Sequence, residues 1–142
     1  MAALELLQEQ PRRVERLADN ARELRAELAR ERFDVSGSET QIIPLIVGDA
    51  GLAMRICESA LEQGVFAQAI RPPTVAEGTS RLRLAVMASH TASELRDAAR
   101  ILARAALRHG LRPAATVPVA AAQAAPPARV FDGDAPGLPR AA

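Results

Sequence analysis

The sequence predicts an α+β fold: a small antiparallel sheet of about three strands with helices packed on one face. Three observations predict it. Apolar residues recur at helical spacing near residues 11–31, 50–63 and 92–108. β-Branched or alternating runs occupy residues 41–47, 65–70 and 81–87. The resulting order is helix, strand, helix, strand, strand, helix, which makes two layers.

In residues 11–31, Val14, Leu17, Ala21, Leu24 and Leu28 step by three or four and form one apolar stripe. Arginines and acids, Glu27 and Glu31 among them, fill the other faces. Pro11 suits a first helical position, where a missing N–H leaves nothing unpaired. Gly37, between Ser36 and Ser38, marks a break. The run 41–47 is rich in isoleucine and valine, but Pro44 cannot donate to a ladder. That strand is therefore expected at a sheet edge or bulged at the proline.

Asp49 is the expected N-cap of the second helix. Leu52, Ile56, Ala60 and Leu61 are its expected buried side, and Gly64 its stop. A short strand follows over residues 65–70. Pro72 and Pro73 stiffen the next loop, and Gly78 gives it a turn. In residues 81–87, Leu82, Leu84 and Val86 face one way while Arg81, Arg83 and Ala85 face the other. Thr91 with Glu94 three residues on forms a capping box. The helix it opens should bury Leu95, Ala98, Ile101, Leu102, Ala105 and Ala106, and Gly110 should end it.

Residues 1–10 are expected to extend the first helix backwards. Residues 113–142 are rich in alanine, proline and glycine without a sustained period, and such a composition does not recover the entropy of ordering itself. They read as a disordered tail behind a single domain, 1–112.

Composition narrows the function. The formal charge is +1, which gives no broad reason to favour nucleic acid or an anionic membrane. With no Trp or Tyr and three Phe, the chain lacks the aromatic faces on which single-stranded bases stack. Cys57 is the lone cysteine, so neither a disulfide framework nor a cysteine metal site is supported, and it reads as a small core residue. No run is apolar for long enough to cross a bilayer, and the N-terminus lacks a signal-peptide layout, so a cytoplasmic protein is expected. All 18 basic residues are arginine, and lysine is absent.

Arg83 carries the chemistry. On a rigid strand, a guanidinium offers a planar fork that binds a carboxylate through two parallel hydrogen bonds. Alternation alone leaves this open, since a solvated arginine on an open sheet face fits equally. The loop Ile70, Arg71, Pro72, Pro73, Thr74, Val75 has a restricted backbone that pre-positions its side chains, yet it could simply connect two strands. His90 precedes a helix cap and lacks a specified partner, so it reads as a capping or packing residue. His109 suits a helix C-terminus. Gly48, Asp49, Ala50 and Gly51 follow a strand and precede a helix, but they lack the lysine and spacing of a phosphate loop.

These segments resemble one family. The stretch 38–48, the loop Ile70 to Val75, and Ser80, Arg81, Leu82, Arg83, Leu84 followed by His90 and Thr91 are similar to the C-terminal part of the α-oxoamine synthases. The similarity covers residues 3–113, and the Arg71 loop resembles the 8-amino-7-oxononanoate synthase branch in particular. Ala76 departs from the family, where proline more often follows the valine.

The resemblance implies the small C-terminal domain of a fold-type I enzyme dependent on pyridoxal 5'-phosphate (PLP). It places Arg83 at the substrate carboxylate, with Thr74 and Arg71 as further substrate-binding positions. It implies condensation of L-alanine with a pimeloyl thioester, with decarboxylation, in biotin synthesis by a homodimer. A large domain would supply the lysine, the aspartate and the stacking histidine of the cofactor site. None of these has a counterpart here. This chain alone is therefore expected to bind no PLP and to be inactive. The alternatives are a related synthase of the 2-amino-3-ketobutyrate type, or a free-standing module that binds small carboxylates.

Overall fold

The computed structural model describes residues 8–113; residues 1–7 and the expected tail from 114 onward lie outside the described residues. The elements run α1 (Arg12–Arg30), β1 (Ile42–Gly48), α2 (Ala50–Leu61), β2 (Gln68–Ile70), β3 (Ser80–Ala85) and α3 (Ala92–Arg108). The three strands form one antiparallel sheet in the order β1-β3-β2. β3 is thus the central strand, held on both sides. β1 takes an edge, as Pro44 requires, although its register shift falls between Ile46 and Gly48 rather than at the proline.

One core lies on one face of the sheet. Ile43 and Leu45 of β1 and Leu82 and Leu84 of β3 pack there with Ala21, Leu24 and Leu28 of α1. Ala53, Ile56 and Ala60 of α2 and Leu95, Leu102 and Ala106 of α3 complete it. Fully burying an aliphatic side chain of this kind stabilises by about 1.5–3 kcal/mol. Many contributors here are alanines, which bring helices close but bury little area each.

The caps form as the sequence requires. Asp49 accepts a hydrogen bond from the Leu52 N–H at 2.6 Å. Thr91 and Glu94 make the reciprocal capping box, and α3 spans residues 92–108 as expected. Gly64 and Gly110 end their helices at φ +87 and +85, in the left-handed region.

Four expectations need correction. Leu61 is 56% exposed, and the buried side of α2 uses Ala53, Cys57 and Ser59 instead. The 3.6-residue turn carries Leu61 away from the sheet. Val14 is 53% exposed, because the first turn of α1 projects past the core. The buried side of α3 takes Ala99 and Ala103, with Ala98 and Ile101 only half-buried. Finally, β2 begins at Gln68 and β3 ends at Ala85, so both are shorter than their apolar runs.

Candidate functional site: an arginine-bearing sheet face

β3 reads buried, half-buried, buried, exposed, buried, exposed from Ser80 to Ala85. Leu82 and Leu84 enter the core, so the period of two sends Arg81, Arg83 and Ala85 to the opposite face. No helix covers that face among the described residues.

The cross-strand neighbours of the arginines differ. Arg83 lies opposite Pro44 on one side and Gln68 on the other. Its Nη1 donates to Gln68 Oε1 at 3.4 Å. Arg81 lies between Ile46 and Ile70, is half-buried, and donates from Nε to the Thr79 carbonyl at 3.1 Å. Among the described residues neither guanidinium enters an ion pair, whereas Arg22, Arg30, Arg96 and Arg100 all do. The charge on this face is held by neutral acceptors and remains available to an anion.

The two arginines line a shallow recess of ≈ 490 Å³ with Ile42, Pro44 and Ile70. Its far wall is the segment 36–40, which contributes Glu39 as the acidic residue. That wall is fixed at several points. Asp34 accepts from the Ser36 hydroxyl at 2.6 Å and from the Ser36 N–H at 3.0 Å. Those two bonds hold the Asp34 carboxyl below its ordinary pKa. Arg25 of α1 donates to the Thr40 carbonyl at 2.7 Å, and the Ser38 hydroxyl donates to the Ile42 carbonyl at 3.1 Å.

Arg71 and Thr74 occupy the loop between β2 and β3, and both are exposed. The Thr74 N–H donates to the Arg71 carbonyl at 3.1 Å, closing a turn around the cis Pro72–Pro73 peptide. A second turn joins Thr79 to the Ala76 carbonyl, with Gly78 at φ +75. The structure therefore brings Arg83 together with Arg81, while Arg71 and Thr74 do not line the recess. Gln68 and the wall at 36–40 had not been singled out as site residues. Gln68 carries no separate sequence signal, because its place opposite Arg83 follows from the β2–β3 register.

The histidines have local roles. His90 Nδ1 accepts from the Met87 N–H at 3.2 Å, and its carbonyl accepts from Asn20 Nδ2 at 2.9 Å. Asn20 also reaches the Met87 carbonyl at 2.9 Å, tying α1 to the start of α3. His109 is the C-cap of α3. Among the described residues there is no cluster of potential metal ligands, and no helix is long and apolar enough to cross a membrane. A larger hollow of ≈ 850 Å³ lies at the start of α1, lined in part by Arg12, Arg13, Arg16 and Ser89. No residue expected to bind substrate lines it.

Comparison with known proteins gives this arrangement a family. The model for aminotransferase class I and II matches residues 1–102. The 8-amino-7-oxononanoate synthase of Citrifermentans bemidjiense is 45% identical over 97 residues, covering 68% of this chain and 25% of that protein. A Thermus thermophilus protein named 8-amino-7-oxononanoate synthase/2-amino-3-ketobutyrate coenzyme A ligase is 42% identical over 111 residues, covering 78% and 28%. Among solved structures, serine palmitoyltransferase from S. paucimobilis superposes with a TM-score of 0.60 at 29% identity, covering 68% of this chain and 25% of that one. The chain thus spans about a quarter of the length of the relatives it matches. It belongs to the aminotransferase class I and II family, among the α-oxoamine synthases.

Proposed function

We propose that this chain is the substrate-binding C-terminal part of an α-oxoamine synthase of the 8-amino-7-oxononanoate type, and that Arg83 anchors the carboxylate of the amino-acid substrate. The observation that carries the reading is the placement of Arg83. It sits on the central strand, points away from the core, has no carboxylate partner among the described residues, and borders an open recess. A carboxylate arriving there meets a guanidinium whose backbone is fixed on both sides, so little ordering entropy is lost on binding. Arg71 and Thr74, on the turn beyond β2 and outside the recess, are assigned by the family resemblance to parts of the substrate other than the carboxylate held there.

In the complete enzymes, L-alanine condenses with a pimeloyl thioester, and PLP supplies the electron sink for the carbanion. The residues present here do not fit the attachment of that cofactor, because no lysine amine is available to its aldehyde. The contribution of this chain is to bind and orient a carboxylate; cofactor attachment and turnover require a large domain. The relatives' names favour the 8-amino-7-oxononanoate reaction over the 2-amino-3-ketobutyrate one, as does the Arg71 loop.

The test is a pair of titrations. In ¹H–¹⁵N spectra, L-alanine should shift resonances of β3 and of the segment 36–40, with an affinity on the order of millimolar. Arg83→Gln should abolish those shifts and leave the fold intact. Equal binding by the Arg83→Gln protein would overturn the assignment. Co-expression with a related synthase lacking its own C-terminal quarter should restore ketone formation, and Arg83→Gln should prevent it.

A further inference from the structure

Resting on that reading of Arg83, we propose that Gln68 is a positioning residue for the anion site. It holds one edge of the Arg83 guanidinium so that the other edge faces the ligand. Gln68 stands directly across from Arg83 in the β2–β3 ladder. Opposite residues of an antiparallel pair share a face, with Cβ atoms about 4.5–5.5 Å apart. Gln68 Oε1 accepts from Arg83 Nη1 at 3.4 Å. Pro44, the other neighbour, has no polar side-chain atom, so the orientation of the fork is set from the Gln68 side.

The neutrality of the acceptor matters. A guanidinium carries five N–H donors, and one given to an amide oxygen leaves the rest free with the charge intact. A carboxylate at the same position would grip the fork through two charge-assisted bonds and compete with any incoming anion. Gln68 thus orients the arginine without neutralising it. It is exposed and contributes nothing to the core, so replacing it alters the site without disturbing packing.

Two variants of the full chain separate the possibilities. Gln68→Val keeps a good strand former but removes the acceptor. It should weaken L-alanine binding about threefold and shift the Arg83 Nε–Hε resonance in the unliganded protein. Gln68→Glu should weaken anion binding about tenfold or more at neutral pH. With sulfate as the probe, affinity should return as acid protonates the introduced carboxyl group. A merely structural residue would give neither the resonance shift nor the acid rescue. If the unaltered chain binds through Arg83 but Gln68→Glu binds equally well, with the Arg83 resonance unmoved, the role of Gln68 is refuted and that of Arg83 stands. If Arg83→Gln binds like the unaltered chain, the anchor itself is refuted, and the positioning role falls with it.

Discussion

Gly48, at the end of β1, lies against Gly78 in the loop that precedes β3. A Cβ built on Gly48 would sit 3.4 Å from the Gly78 carbonyl oxygen, which is contact without a clash. Gly48 has φ +89 and Gly78 has φ +75, and nothing lies within 4 Å of a Cβ built on Gly78. Both are therefore required for backbone conformation rather than for space. Gly48→Ala and Gly78→Ala should each cost about 1–2 kcal/mol. Urea denaturation of the two variants should give similar losses. A far larger loss at Gly48 would mean that the close approach, not the dihedral, governs.

The alternation along β3 separates stability from binding. Leu82 is 1% exposed, and truncating it leaves a hole among residues of both layers, so Leu82→Ala should cost about 2–4 kcal/mol. Arg83→Ala, one residue on, should change stability by no more than about 0.5 kcal/mol while removing the anion affinity. Denaturation and ligand titration of the same two variants give this double dissociation. Comparable destabilisation by both would show that the arginine face is packed after all.

Cys57 belongs to the core and is 8% exposed. Burial pushes its thiol pKa upward, and the charge of Glu58 adds to the shift. The thiolate is the reactive species, so the folded protein should alkylate slowly at neutral pH and rapidly in denaturant. The native rate should rise with pH along a profile displaced upward from that of the unfolded chain. Labelling with a thiol reagent, followed over time, reads both expectations.

Absence of lysine leaves the terminal amine as the group able to condense with an aldehyde cofactor. Mixing the chain with PLP and reducing with borohydride should yield no internal adduct in a peptide map. An adduct mapped within residues 8–113 would contradict the proposed division of labour.

Much of the fold was legible because it rests on local chemistry. Asp49, Thr91 with Glu94, and Gly64 each satisfy or end a helix within a few residues, and a one-dimensional pattern captures such effects. The two faces of β3 were legible for a similar reason, since a period of two leaves its leucines and arginines no choice. Leu61 and Val14 were not legible as exposed. Hydrophobicity names a candidate for burial, but which end of a helix overhangs the sheet depends on the packing of α1 and α2. The wall at 36–40 was hidden as well, because its place beside Arg83 depends on Arg25 reaching Thr40 from another element. Gln68 needed the register of β2, which a three-residue strand scarcely encodes.

The capping box of α3 predicts how the fold responds to acid. Glu94 accepts from the Thr91 N–H at 2.7 Å and from the Thr91 hydroxyl at 2.9 Å. The backbone bond is the larger cause of its lowered pKa, followed by the hydroxyl, with a smaller contribution from His90. A depressed folded pKa means that the unfolded chain binds the proton more readily. The stabilisation is then fully present above the ordinary value of 4.5 and is lost as pH falls through the lower folded value. Glu94→Gln retains an acceptor for the Thr91 N–H, so α3 should persist, but this part of the acid sensitivity should disappear. Thr91→Ala removes the hydroxyl that accepts from the Glu94 N–H but keeps the backbone N–H that donates to Glu94, and should cost about 1 kcal/mol near neutrality. Melting temperatures from pH 3 to 7 should therefore converge for the unaltered and Glu94→Gln proteins in acid and separate above pH 5. Parallel curves across the whole range would show that the carboxylate contributes nothing as a charge.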